Sequence, residues 1–278
     1  TASFSHSFST ASQSTSPSGI TFKPDGSIMY VSEAYNSSVL QYALSTAFDV
    51  SSASYTHNFN VASQEADVRG IALNSDGTKM FITGVGGDDV NEYALSTGYD
   101  ISTATYTQNF SVSSQDANPQ DLFFNSDGTK MWIVGDDNDS IFAYTLTTGF
   151  DVSTASYASV SFSAASQDTS PMGAAFNSDG TKLFVVGLQN DSVYEYTVTP
   201  TAALGTGSFA SGDVGKCIEA NSGKLVLTST GGAFTVTTAL SSYAQVASGS
   251  WQMYGAVYDS TADVLKPSGV AGAGYDIS

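Results

Sequence analysis

The side chains suited to chemistry in this 278-residue chain are few, and several recur at one spacing. His6 and His57 stand 51 residues apart, and the same step repeated leads to Gln108 and Ser159. A histidine can act as a general base near neutral pH. A column that runs His, His, Gln, Ser reads instead as a strand-face position. Arg69 is the chain's single arginine, in the column Ser18, Arg69, Gln120, Met172. The next column is Gly19, Gly70, Asp121, Gly173. A cation beside a carboxylate can hold a polar or acidic ligand, so Arg69, Gln120, Asp121 and Met172 are the candidate ligand-binding residues. The plainer alternative pairs Arg69 with Asp67 or Asp121. One carboxylate and one cation make too sparse a set for acid–base catalysis, so the expectation is a non-enzymatic chain with no catalytic residues.

Acidic turns are the other candidates. Asp88 and Asp89 lie in "GGDDV", Asp136, Asp137 and Asp139 in "GDDNDS", and Asp191 in "QNDS". Clustered carboxylate oxygens can bind Ca²⁺, although none of the three turns shows a full twelve-residue calcium loop. Asp and Asn also form such turns unaided, by bonding to their own backbone. No other cofactor is implied. Tyr35, Tyr99 and Phe150 could stack on sugars, but Phe48, Tyr99 and Phe150 form a column of their own, which favours packing between repeats. Cys217 is the only cysteine and has no evident base beside it, so it reads as a small buried residue.

Charge narrows the partners. With 26 acidic against 8 basic residues, the formal net charge is −18. Nucleic-acid binding needs Lys and Arg to displace phosphate counterions, so DNA and RNA are excluded as partners, and anionic lipid is disfavoured. No apolar run approaches the length of a membrane span. Polar positions are filled by Ser, Thr, Asn and Gly, a texture suited to a virion or extracellular protein.

The elements that position these residues follow from a repeat. Asp25, Asp76, Asp127 and Asp179 are 51, 51 and 52 residues apart, and Tyr42, Tyr93, Tyr144 and Tyr196 keep the same steps, as do Gln13, Gln64, Gln115 and Gln167. In each unit an apolar run meets a polar heptad ("NSDGTKM" at Asn74 and again at Asn125), then a second apolar run. Asp-Gly between apolar runs signals a hairpin, because glycine accepts positive φ. A third run alternates with period two, as Leu40, Tyr42 and Leu44 do, and a fourth ("SASYTHNF", "TATYTQNF") ends the unit. Four antiparallel strands in about 50 residues make one blade of a β-propeller.

The chain starts out of phase, with "TASFSHSF" at Thr1–Phe8 matching a fourth strand, while the last unit has only three. The expected fold is therefore all-β: a four-bladed propeller over residues 1–200, closed by the N-terminal strand. A neighbouring subunit could supply the missing strand instead, which would make a homo-oligomer. Residues 201–278 leave the period and read as a small β domain with a C-terminal connector.

The unit "FNSDGTKLFVVGLQNDSVYEYTVT" resembles the YVTN and PD-G repeats of bacterial surface propellers, and the longer unit is similar to repeats in uncharacterised marine bacteriophage proteins. "FASGDVGKCIEANSGKLVLTS" is similar to small β domains of phage tail and virion proteins. The resemblance implies a structural or adhesive virion component. Its propeller would face outward toward a host glycan or protein, and residues 201–278 would bind other virion or surface proteins. A secreted bacterial surface-binding module is the alternative. A lactonase-type propeller hydrolase is the second, although such enzymes gather more carboxylates in the channel than the single Asp121 here.

Overall fold

The computed structural model describes residues 3–178 and 180–198, and beyond them four short strands. Contacts divide the chain into two units, Thr1–Tyr196 and Thr197–Ser278.

The first unit is a four-bladed β-propeller, each blade a meander of antiparallel strands. Blade 1 holds β1 (Pro17–Phe22), β2 (Ile28–Glu33), β3 (Ser38–Leu44) and β4 (Ala53–Asn60). Blade 2 holds β5 (Val68–Leu73), β6 (Lys79–Gly84), β7 (Asp89–Leu95) and β8 (Ala104–Ser111). Blade 3 holds β9 (Pro119–Phe124), β10 (Lys130–Gly135), β11 (Ser140–Leu146) and β12 (Ala155–Ser163). Blade 4 has β13 (Pro171–Phe176), β14 (Lys182–Gly187) and β15 (Ser192–Thr197). The second unit contributes two hairpins, β16 (Leu227–Thr230) with β17 (Ala233–Val236) and β18 (Gly255–Asp259) with β19 (Val264–Ser268). The "DVGK" segment, Cys217 and the C-terminal connector after Ser268 lie outside the described residues, and the first three connector residues end β19.

The heptad is a turn, and the structure shows why its residues are fixed. Asp76 Oδ1 accepts from the Thr78 amide (2.9 Å) and hydroxyl (2.6 Å), and Asp25 and Asp127 do the same with Ser27 and Thr129. The following glycines, Gly26, Gly77, Gly128 and Gly180, all have φ near +70°. In the first three, the ring of Phe48, Tyr99 or Phe150 lies where a Cβ would go, whereas Gly180 has open space there. Gly128→Ala should therefore cost about 2–4 kcal/mol, from positive φ plus displacement of Phe150, and Gly180→Ala only about 1 kcal/mol. Urea unfolding of the two variants checks this, and equal losses would remove the aromatic lid from the explanation.

Alternation along the strands builds the cores between blades. Tyr30 and Val39 of blade 1 cluster with Val68, Ile71, Met80 and Tyr93 of blade 2. Phe81 and Val90 of blade 2 cluster with Leu122, Met131, Ile133 and Tyr144 of blade 3. Polar bonds cross the same seams: Gln41 Oε1 accepts from the Ile101 amide (3.0 Å), and Glu92 Oε2 from that of Val152 (3.0 Å). Phe150 packs on Phe81 of the preceding blade, the inter-blade role its column suggested.

The strand pairing expected to close the ring is absent among the described residues. The sheet of β13, β14 and β15 has three strands, and residues 3–10 form no strand. β1 packs on β5, β5 on β9 and β9 on β13, with no comparable packing from β13 back to β1. The N-terminal segment nonetheless holds its repeat position against blade 1. Phe8 meets Tyr42 edge-on at 5.2 Å between centroids, as Phe59 meets Tyr93 (5.5 Å) and Phe110 meets Tyr144 (5.7 Å).

Candidate functional site

The innermost strands β1, β5, β9 and β13 carry the two columns singled out in the sequence. Three of the four side chains in the first column turn back on the residue two positions earlier. Arg69 Nη2 donates to Asp67 Oδ2 at 2.8 Å, Gln120 Nε2 donates to Asn118 Oδ1, and Ser170 Oγ lies 3.8 Å from Met172 Sδ. Ser18 Oγ donates to the Val68 carbonyl at 2.8 Å. No hydrogen bond or ion pair among the described residues joins Arg69, Gln120, Asp121 and Met172 to one another. Arg69 forms the ion pair with Asp67, not with Asp121. Arg69 Nε and Gln120 Oε1 are buried without a partner.

The second column explains the placement of Asp121. A Cβ on Gly19 would stand 2.6 Å from the Arg69 carbonyl, and one on Gly70 would stand 2.8 Å from Asp121 Cα, so close approach of the inner strands forces glycine there. Asp121 is the exception. Its Oδ2 reaches across to blade 4 and accepts from the Ala174 amide at 3.3 Å, while Oδ1 accepts from the Leu122 amide at 2.9 Å. Desolvation outweighs these two bonds and pushes its carboxyl up to about 7. Beside it lies a cavity of about 410 Å³ lined by all four inner strands, including Ile20, Ile71, Leu122, Phe124 and Ala174. Among the described residues Asp121 is the only acidic one in that lining, and Arg69, Gln120 and Met172 do not contribute to it.

The acidic turns do not converge. Asp88, Asp139 and Asp191 occupy one repeat position with φ between +48° and +50°, where Ser37 stands in blade 1, so a left-handed turn accounts for them. Asp89 accepts from the side-chain Nδ2 groups of Asn91 and Asn109, and Asp136 from Asn118 Nδ2 at 3.1 Å. The Asp137 backbone amide donates to Asp116. Among the described residues no group of three or more His, Cys, Asp or Glu side chains is arranged to hold a metal ion. His57 lies on β4 and Gln108 on β8, where Gln108 donates to Asp151 at 2.8 Å, which fits the strand-face reading, whereas His6 precedes the first strand and faces Asp49 at 3.6 Å. Tyr35 is exposed on the β2–β3 turn.

Sequence reasoning missed a third set of carboxylates. Glu65, Asp116 and Asp168 directly follow the repeated glutamines and are almost fully buried. Each accepts one backbone amide from its own loop and two from the turn between the second and third strands of the blade that follows. Asp116 takes Asn118 (2.9 Å), Asn138 (2.9 Å) and Asp137 (3.4 Å), Glu65 takes Asp67, Gly86 and Gly87, and Asp168 takes Ser170, Gln189 and Asn190. Burial raises Glu65 and Asp116 above the usual carboxylate range. For Asp168, burial works the same way, but the bonds from Ser170, Asn190 and Gln189 outweigh it and hold the group low. These acids hold turns in place. The signal for them was the column Ser14, Glu65, Asp116, Asp168.

No family model and no curated protein matches the chain, so the likeness to phage and YVTN-type repeats is not carried beyond the propeller fold. Solved structures share that fold. A proposed 6-phosphogluconolactonase from Bacteroides uniformis is 13% identical with a TM-score of 0.47, covering 66% of this chain and 53% of its own. One from Bacteroides fragilis is 14% identical with a TM-score of 0.47, covering 66% and 68%. The periplasmic gluconolactonase of Pseudomonas aeruginosa is 15% identical with a TM-score of 0.44, covering 67% and 54%. The chain spans about half the length of most of these proteins. Such likeness concerns the fold alone. The expectation of a non-enzymatic chain is withdrawn beside them: proteins named as lactonases are among the structures similar to this one, and a propeller fold by itself excludes no activity.

Proposed function

We propose that the propeller channel is a hydrolytic site for a cyclic ester, with Asp121 as general base. The observation that carries this is Asp121 itself: a lone carboxylate beside a largely apolar cavity, in a column that is otherwise glycine, with its carboxyl pushed up to about 7. A base poised near the working pH combines adequate ionisation with proton affinity. In this reaction the ionised carboxylate takes a proton from water as the water oxygen bonds to the lactone carbonyl carbon. The bond from that carbon to the ring oxygen then breaks, the ring oxygen takes up the proton, and a hydroxy acid leaves. A net charge of −18 with a single arginine, itself paired with Asp67, favours an uncharged lactone over a phosphorylated one.

The test is turnover of a panel of neutral sugar lactones and simple γ- and δ-lactones by the full chain. Activity should rise with pH through about 7, and Asp121→Asn should lower kcat/KM by about 10²–10⁴-fold. Absence of turnover in the wild-type chain, with and without added divalent cations, would sink the reading. Turnover unchanged by Asp121→Asn would move the site elsewhere.

A further inference from the structure

Each blade has a face toward the preceding blade and a face toward the next, and the described residues leave one of each uncovered. Val39 and Ile71 are buried in one inter-blade cluster, Val90 and Leu122 in the next, all at 0–5% exposure. The same two columns end in Val193 on blade 4 and Ile20 on blade 1, which are 70% and 59% exposed. Val186 is 44% exposed, whereas Ser32, Thr83 and Val134 in its column are at 0%. A Cβ on Gly173 would meet Val186 and Asp121 but nothing from β1. On blade 1, the uncovered face is a hollow of about 360 Å³ lined by Phe8, Pro17, Ile20, Met29 and Val31, among others. Among the described residues β15 is paired on one side only, beside the Val193 face, and residues 3–10 carry the sequence of the strand that would cover such an edge.

We propose that a second copy of this chain fills these faces head to tail. Blade 4 of one copy enters the hollow on blade 1 of the other, and residues 3–10 add a fourth strand to the partner's β15. Phe4 then stands opposite Tyr196 of the partner subunit, as Tyr55 stands opposite Tyr42 and Tyr106 opposite Tyr93. The argument is continuity with an interface already built. Phe8 holds the place on Tyr42 that Phe59 holds on Tyr93, so the N-terminal segment already sits where a preceding blade's outer strand belongs. Three like interfaces follow in succession with no comparable packing of β13 on β1, so a fourth of the same geometry is made with another molecule. Strand addition at a free edge supplies main-chain bonds, and the apolar faces supply burial. Such contacts are heterologous and close into a ring when the rotation allows. Two copies give eight blades, within the usual propeller range, whereas three would give twelve.

This does not rest on the hydrolase reading, and its test is mass rather than activity. The full chain should sediment at about twice 28.8 kDa. Val193→Glu and Ile20→Glu should each give folded monomers, since both positions are exposed within one copy. An equimolar mixture should recover a one-to-one dimer, because each variant keeps the face the other has lost. A wild-type monomer would overturn the proposal, as would an Ile20→Cys/Val193→Cys chain that cross-links within itself. A dimer that persists in both glutamate variants would place the contact elsewhere and overturn it equally.

Discussion

Asp116→Ala should be among the most damaging substitutions in the propeller, lowering stability by about 3 kcal/mol in urea unfolding. The carboxylate accepts three backbone amides, from Asn118, Asn138 and Asp137, and joins the loop entering blade 3 to the β10–β11 turn. Removing a buried acceptor leaves each donor without a partner, at about 1–3 kcal/mol apiece, partly relieved where water reaches the turn. Blade 1 supplies a natural control. Its loop position is Ser14, and a carboxylate comes instead from Glu33 on β2, whose Oε2 accepts the Asn36 amide. Blades 2, 3 and 4 have Gly84, Gly135 and Gly187 where blade 1 has Glu33, and a Cβ on Gly135 would strike Asp116 Cγ at 2.3 Å. Acid and glycine therefore exchange places as a pair. Asp116→Ser with Gly135→Glu, the blade 1 arrangement, should recover much of what Asp116→Ser alone loses. Additive losses would show that the two positions are not coupled.

That exchange shows what was legible in the sequence. Fixed spacing made the blades readable, because residues that hold a turn, such as Asp76 with Thr78, must recur wherever the turn does. The same logic placed His6 and His57 in one column, which lies on strands at His57 and Gln108 but not at His6. It failed for Glu65, Asp116 and Asp168, because the column reads Ser, Glu, Asp, Asp and the blade 1 carboxylate sits in another column nineteen residues on. A function conserved in space was divided between two positions in sequence. The outer edge of β15, unpaired among the described residues, was also hidden, since matching "TASFSHSF" to a fourth strand says which edge it suits but not which molecule carries that edge. Asp121 was visible as a departure from glycine. Its raised pKa was not, because desolvation depends on how closely four inner strands approach.

Asp121→Asn should stabilise the propeller above pH 7 and leave it unchanged near pH 4. The folded carboxyl sits at about 7 against an ordinary value of 3.8, so between those limits the folded chain binds more protons than the unfolded one. Stability contributed by this group therefore falls as pH rises through the window, and the deficit is complete above it. A span of about three pH units at about 1.4 kcal/mol each sets an upper bound near 4 kcal/mol, and access of water to the cavity lowers the expected effect to about 2 kcal/mol. Asparagine is close in shape and carries no charge to desolvate. Glu65, Asp89 and Asp116 are also raised by burial, but they are common to both proteins and cancel in the comparison. Urea unfolding of wild type and variant at pH 5 and pH 8 measures the difference, which should grow with pH. If the difference is flat, Asp121 titrates as an ordinary carboxylate and loses the property that suits it to act as a base. If the variant gains stability above pH 7 while losing turnover, a residue that costs the fold stability is kept for its chemistry. Glycine, which the neighbouring blades use at this position, would have avoided that cost.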